Sequence, residues 1–532
     1  GGGRLPLIPW PAHVEWAQGA ALVAVGRDVS IQVQGLDEGD LAVQILKDHF
    51  SKATKAASLL EIDHSNWHSW ESRSHKNLVI RKAPQTIREI RVELAPDSRG
   101  SAEAYALSVR GGGDGAEGAA VRLTAPTAAG IFYGVQTLRQ LTTWDDGPRL
   151  PQVNIQDSPR FPWRGLHLDV SRHFFTAAQV KRLLDTMGMF KLNRFHWHLT
   201  DDQGWRLPVE GYPKLTQIGA RGVDGAHAYT ADEIRDVVAY ARARHIEVLP
   251  EVDVPGHVAA AVAAYPELGN FDIPHWPGPK SPERTWGVHE HTLNPSKETD
   301  KFLDKVYGTV AELFPAEWVH IGGDETQTGE WQRSAHARAE AADLGTDAGH
   351  LQRHFNEEVS DILRRQGRTA VAWDETQHIG GLPSDAIVMA WRSSNEARIA
   401  ASSGKKVIVA DQGAYYFDHY QGPEWEEPKA IGGHTSLEQV YEYEPVPKDY
   451  TPEERAQVLG GQGELWSEYF PNFHQVMYMA YPRSMALAER LWTPEEGIVG
   501  FADFSQRLRT RVKDLDQLGI QYRHLSEDPQ HD

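Results

Sequence analysis

Eight short apolar runs, separated by stretches of helical length and periodicity, constrain this chain more than any other feature. They span 165–169, 194–199, 246–253, 318–322, 369–373, 387–391, 406–410 and 458–466. Amphipathic segments at 177–190, 231–244, 300–313 and 351–364 lie between them. Alternation of this kind is the pattern of a parallel α/β domain, and eight strands with intervening helices predict a (β/α)8 barrel over residues 161–500. A doubly wound open sheet is the alternative, but no Gly-x-Gly-x-x-Gly turn follows the first run and there is no Walker loop. With 532 residues the chain is too long for one ordinary core. Residues 1–160 read as a separate, smaller α+β domain. Strand-like alternation occurs at 29–33, 87–94 and 104–109, then a Gly-rich loop at 111–118 and an amphipathic helix at 128–141. A tail, 501–532, is expected to form a helix packed on the barrel.

Bulk composition excludes several classes of function. A formal net charge of -20 argues against nucleic acid or an anionic membrane as partner. No apolar run approaches the roughly 18 residues of a membrane-spanning helix. Cysteine is absent, which removes disulfides, thiol nucleophiles and thiolate metal sites together. The chain begins Gly1-Gly2-Gly3 without Met, so a removed leader and a periplasmic or secreted address are expected. Tryptophan is abundant, 17 residues, and many of these sit beside predicted strand ends.

All the runs but the seventh end in polar or aromatic residues. Asp169 closes the first; His196, His198 and Asp201 follow the second; Glu251, Asp253 and His257 the third; Asp324 and Glu325 the fourth. Trp373, Trp391, Trp466 and Glu468 complete the set. Barrel enzymes build their sites at the carboxyl ends of the strands. One end of this domain is therefore a ring of carboxylates, imidazoles and indoles. Such a pocket suits sugar rings, whose C–H faces stack on aromatic walls while carboxylates hold the hydroxyls.

Within that ring, Trp318-Val319-His320-Ile321-Gly322-Gly323-Asp324-Glu325-Thr326 stands out: an apolar strand ending in two glycines and two adjacent carboxylates. Neighbouring carboxyl groups are expected to push their pKa values apart, which gives one site an acid and a base at the same pH. Ordinary retaining glycosidases need carboxyls about 5–5.5 Å apart across the scissile bond. Adjacent residues on an extended chain point to opposite sides, so Asp324 and Glu325 are poorly placed for that pairing. One of them is then the acid, and the economical nucleophile belongs to the substrate. The rival reading is a metallohydrolase. His196-Trp197-His198 puts two imidazoles on one face of a strand, and Asp201, His257 and His320, expected nearby at the strand ends, would complete a zinc or iron site. A third class is a lectin-like relative that binds sugar without cleaving it.

His320-Ile321-Gly322-Gly323-Asp324-Glu325 resembles the signature of family 20 glycoside hydrolases, the β-N-acetylhexosaminidases. So do Leu168-Asp169-Val170-Ser171-Arg172-His173-Phe174, His196-Trp197-His198-Leu199-Thr200-Asp201-Asp202-Gln203-Gly204-Trp205 and Glu251-Val252-Asp253-Val254-Pro255-Gly256-His257. The likeness runs from Leu7-Ile8-Pro9 and Gly130-Ile131-Phe132-Tyr133-Gly134 to Ala488-Glu489-Arg490-Leu491-Trp492, nearly the whole chain.

The resemblance implies an exo-acting, retaining enzyme in which the 2-acetamido oxygen of the substrate attacks its own anomeric carbon, giving an oxazolinium intermediate. Glu325 matches the general acid, with a pKa expected to be raised by apolar walls and by Asp324. Asp324 matches the residue that holds the acetamide N–H. Tyr416, rather than its neighbour Tyr415, matches the phenol on the acetamide oxygen. Asp201 and His257 match a relay behind the acid; Arg172, Asp418 and Glu468 match the hydroxyl clamp; Trp373, Trp391 and Trp466 match the aromatic walls. Trp425 is a candidate for a leaving-group subsite. No cofactor and no metal are implied, and the expected partner is a small oligosaccharide or glycoconjugate. GlcNAc is the expected terminal sugar, with GalNAc as a variant. Release of a disaccharide, as in lacto-N-biosidases, is the alternative within the family.

Overall fold

The computed structural model describes residues 3–16, 18–60, 86–96, 100–112, 118–145 and 147–526. It contains a closed barrel of eight strands, each parallel to its neighbours. In chain order these are Trp163–Asp169, Arg194–His198, Glu247–Glu251, Trp318–His320, Thr369–Trp373, Ile387–Ala390, Val407–Val409 and Val458–Leu465. The barrel closes between the last and the first, with Glu464 directly opposite His167. Each predicted run holds one of these strands, because strands covered on both faces must be apolar almost throughout. Ala177–Met189, Ala231–Ala243, Lys297–Leu313 and Gln352–Arg365 are the helices read from periodicity. Capping boxes at Thr176/Gln179 and Thr230/Glu233 fix the starts of the first two.

The lower barrel is filled by Trp163, Leu249, Val371, Ile387, Met389 and Ile408. Towards the carboxyl ends the filling becomes polar: His167, His196, His198, Glu251, His320 and Glu464 are all fully buried inside the barrel. That change of character, from apolar to ionisable along the same strands, sets where chemistry is possible.

By packing, the chain divides into two compact units: 1–160 with 492–499 and 503–511, and 161–491 with 500–502 and 512–532. The C-terminal helix Phe501–Gln517 therefore contributes to both. The first unit is a seven-stranded mixed sheet covered by the helix Ala128–Leu141. It also contains the helix Leu41–Leu60 and the strand Ala120–Ala125, which alternation alone did not single out. Of the Gly-rich stretch 111–118, residues 113–117 lie outside the described residues.

The helix Ala128–Leu141 approaches its sheet through glycine. A Cβ on Gly130 would lie 2.1 Å from Ala104 O and 2.7 Å from the Ala125 Cβ. Ala normally gains about 1 kcal/mol over Gly inside a helix, but a backbone clash of that size outweighs the gain. Gly130→Ala is thus expected to lower the melting temperature. Gly308→Ala, in a helix where a Cβ would meet nothing closer than Gln366 Nε2 at 3.7 Å, is expected to raise it. Thermal denaturation of the two variants checks the pair of signs.

Candidate active site

The strand Trp318–His320 stops short of the carboxylates, and the turn that follows decides their geometry. Gly322 and Gly323 have φ of 72° and 87°, and Glu325, without the freedom of glycine, has 48°. A Cβ at Gly322 would fall 1.9 Å from Asp253 Oδ1, so only glycine lets the backbone pass there. Asp253 Oδ1 accepts the Gly323 N–H at 3.0 Å. This overturns the expectation that Asp324 and Glu325 point to opposite sides. The chain is no longer extended at Glu325, and both carboxylates turn towards one imidazole.

That imidazole is His257, itself at φ 54°. Its Nε2 lies 3.2 Å from Glu325 Oε1 and 3.3 Å from Asp324 Oδ2. Its Nδ1 lies 3.0 Å from Asp201 Oδ1 and 3.1 Å from Asp202 Oδ2. Burial disfavours a charged ring here, but the Asp201 and Asp324 charges outweigh it and hold the His257 pKa well above the usual range. His257 is an imidazolium donating from both nitrogens. Burial likewise works against charge on Asp324, and the His257 cation prevails, holding the carboxylate below its ordinary value. Asp253 goes the other way: burial and the charge of Asp324 push its pKa well up. Glu325 remains the accessible member, its side chain 38% exposed, so apolar walls do not enclose it.

Arg172, buried rather than on the surface, joins the relay to the expected hydroxyl clamp. Its Nη1 meets Asp169 Oδ2 at 3.1 Å and Glu468 Oε1 at 3.2 Å; its Nη2 meets Asp201 Oδ2 at 3.2 Å; its Nε donates to Gln203 Oε1 at 2.9 Å. Most of the guanidinium is thereby spent on protein acceptors. The buried oxygens without a hydrogen-bond partner on this side are Asp418 Oδ1 and Glu468 Oε2. Burial, reinforced by the Glu468 charge, lifts Asp418 well above the carboxylate range. Glu468 is raised by burial to about 7, with Arg172 opposing the shift. Two acceptors left unpaired in a buried wall are what a polyhydroxylated ligand would satisfy.

The indoles gather as the sequence predicted. Trp373 and Trp466 have ring centroids 5.8 Å apart, and Trp391 lies parallel to Tyr416, 13° between planes at 6.0 Å. Trp373 Nε1 donates to Glu251 Oε1 at 3.0 Å, Trp391 Nε1 to Glu375 Oε1 at 2.6 Å. Tyr416 faces Trp391 and Trp466, whereas Tyr415 turns away and packs edge-on against Tyr443. The two neighbours are told apart by which side of the chain faces the site. Trp425 is 84% exposed, and its indole N–H donates only to the adjacent Glu426.

The His-Trp-His pair of the rival metal reading is already committed. His196 Nε2 donates to Glu251 Oε2 at 2.6 Å and its Nδ1 accepts from Gln462 Nε2 at 2.8 Å. His198 donates to Glu251 Oε2 and to Asp201 Oδ2, both at 2.7 Å. Burial opposes charge on His198, but these carboxylates push its pKa up to about 10. Among the described residues six sets of side chains bring ligand atoms within 4.8 Å of one another, including His167 with His198 and Glu251, and His257 with Asp324 and Glu325. In the latter set the His257 nitrogens are protonated donors.

Sequence reading passed over Glu375, Asp202 and Gln203 as site residues. Asp202 and Gln203 lie in a motif quoted for its resemblance, and Glu375 follows Trp373 by two positions at a strand end. The same rule that selected Asp324 and Glu325 would have selected Glu375, had the run been followed past its aromatic residue.

Residues 161–495 match the catalytic domain of glycosyl hydrolase family 20, and residues 4–158 match domain 2 of the same family. The chain belongs to glycosyl hydrolase family 20. A β-hexosaminidase of Porphyromonas gingivalis is 40% identical over 76% of this chain, which there spans 53% of the relative's length. One from Vibrio furnissii is 35% identical over 91% of this chain and 76% of its own. The solved exo-β-N-acetylglucosaminidase of Vibrio harveyi in complex with N-acetylglucosamine superimposes with a TM-score of 0.80 at 31% identity, covering 98% of this chain and 78% of that one. The barrel and the preceding smaller domain are therefore those of a family 20 glycoside hydrolase.

Glu468 gives this site a pH signature. Its folded pKa, about 7, lies above the ordinary carboxyl value near 4.5. The stability it contributes is complete below the unfolded value and is lost as pH rises through the folded one. The melting temperature of the wild type minus that of Glu468→Gln is expected to fall between pH 4.5 and 7. A flat or rising difference would contradict the assignment.

Proposed function

We propose that this glycoside hydrolase removes terminal, non-reducing β-linked N-acetylglucosamine from oligosaccharides with retention, the substrate's acetamide serving as nucleophile. The observation that carries this reading is the convergence of Asp324 and Glu325 on one side of a single imidazolium. Carboxyls so arranged do not face each other across a scissile bond, as an acid and a protein nucleophile must. They suit a division of labour. Glu325, with one oxygen on His257 and the other free, protonates the leaving oxygen. Asp324, kept anionic, accepts the acetamide N–H as positive charge develops on the closing ring.

Tyr416 supplies the matching donor to the acetamide oxygen. Burial first, then the charges of Glu464 and Asp418, raise its pKa well above the phenol range, so its proton stays in place throughout. Trp373, Trp391 and Trp466 form the walls around the acetamide and the ring face, and Asp418 and Glu468 take the hydroxyls. In the second half-reaction Glu325 accepts a proton from water as the water attacks the anomeric carbon and reopens the oxazolinium. No bond to the protein forms at any stage. The relatives' names support the same substrate class. Tolerance of GalNAc turns on the 4-hydroxyl, near Arg172 and Glu468.

A second reading is favoured by one observation. A cavity of about 350 Å³, bordered by His173, Trp286 and Tyr469, shares Glu468 with the hydroxyl clamp. Release of a disaccharide would use that cavity. Products from chitobiose, GalNAc-terminated glycans and lacto-N-tetraose separate the alternatives: single N-acetylglucosamine units support exo monosaccharide release, and lacto-N-biose supports the second reading.

Glu325→Gln is expected to reduce turnover about 10²–10⁴-fold on glycosides with poor leaving groups and much less on a dinitrophenyl glycoside. Equal losses on both would remove Glu325 from the acid role. A thiazoline analogue of the cyclised intermediate is expected to inhibit far more tightly than the free sugar, since it presents the same bicyclic shape to Asp324 and Tyr416. Indifference to the thiazoline would leave the acetamide nucleophile unsupported.

A further inference from the structure

Glu375 begins a short helix just after the strand Thr369–Trp373, next to Asp374, and it uses its two oxygens on two different parts of the site. Oε1 accepts the indole N–H of Trp391 at 2.6 Å, and Oε2 accepts the backbone N–H of Glu325 at 3.0 Å. We propose that Glu375 is a positioning residue that fixes the acid Glu325 and the aromatic wall Trp391 relative to each other through one carboxyl group.

Three observations argue for this. First, Glu325 sits in the left-handed region at φ 48°, a conformation that is strained for a non-glycine residue and persists only where neighbours over-determine it. Its side chain is too exposed for packing to do so; His257 holds its carboxylate and Gln327 its carbonyl, and Glu375 is the side chain that holds its N–H. Second, Trp391 is fixed by the same carboxyl at its edge and by Tyr416 across its face. A shift of Glu375 therefore moves the wall that would contact the acetamide. Third, Glu375 is itself held. Asp374, fully buried, accepts the backbone N–H groups of Trp391 and Arg392 at 2.7 and 2.9 Å, and Arg392 Nε lies 3.5 Å from Glu375 Oε1. Burial, then the charges of Asp324 and Asp374, push the Glu375 pKa up to about 8. A neutral carboxyl there still accepts both N–H groups without adding a further anion beside Asp324.

The inference rests on the reading of Glu325 as the acid, and the experiment separates the two. Glu375→Gln offers one acceptor oxygen and an amide N–H₂ that confronts the second donor; Glu375→Asp is one methylene too short to span both. In each variant three quantities are measured: kcat/KM on a poor-leaving-group glycoside, kcat/KM on a dinitrophenyl glycoside, and the inhibition constant of the thiazoline. The expectation is a loss of about 30-fold or more on the first, a several-fold smaller loss on the second, and about 10-fold weaker inhibition, all with an unchanged fold. Trp391→Phe, which keeps a ring but removes the N–H, is expected to weaken the thiazoline while leaving the ratio between the two glycosides near that of the wild type. Equal losses on both glycosides with unchanged inhibition, in both Glu375 variants, would overturn the proposal while leaving the acid assignment intact. If Glu325→Gln fails to distinguish the two glycosides, the acid assignment falls and takes this proposal with it.

Discussion

The His257 imidazolium is the contact on which the rest of the site depends. Four carboxylates surround it, Asp201 and Asp202 on one nitrogen, Asp324 and Glu325 on the other. Negative groups this close repel one another, and without a cation between them at least one would take up a proton. With the cation in place Asp324 stays ionised, so the charge that the proposed mechanism asks of it is present before substrate arrives. Arg172 and His198 repeat the device one layer deeper, both meeting Asp201 Oδ2. Charges alternate outward from the barrel interior, and the alternation makes a dense acidic site tolerable in a protein of net charge -20.

Glu251 anchors that alternation. Its oxygens receive His196, His198 and Trp373, so one buried carboxylate ties the relay to the aromatic wall. Burial alone would protonate it; the surrounding imidazoles hold its pKa well below the ordinary value. The barrel strands explain why this is affordable in structural terms: parallel neighbours bring Glu251 level with His198 on one side and His320 on the other, so the partners arrive in register.

Most of the barrel was legible because its strands are buried on both faces and so read as short, largely apolar runs that end in ionisable or aromatic residues. The smaller domain was less so. The strand Ala120–Ala125 alternates over only six residues, and the helix Leu41–Leu60 lacks an acidic first turn or a basic last turn to mark its ends. Residue types at the site were readable from strand ends and motif, and the structure brings Asp201, His257, Asp324, Glu325 and Arg172 into one network. What sequence concealed was direction. That Asp324 and Glu325 turn to the same side follows from left-handed backbone at Gly322, Gly323 and Glu325, and only the glycines announce it. The double attachment of Glu375 also escapes a linear reading, since its partners lie 50 and 16 positions away.

His198 carries one more implication. Both of its nitrogens already give their hydrogens to carboxylates, so the ring has no lone pair with which to receive another. A string of acids and imidazoles looks like a wire for protons, yet this one is closed at its inner end. If Glu325 is the acid, as proposed, whatever proton it releases in one half of the cycle must come back from the solvent side, through the water that enters as the aglycone departs. The interior of the barrel aims the acid and does not refill it.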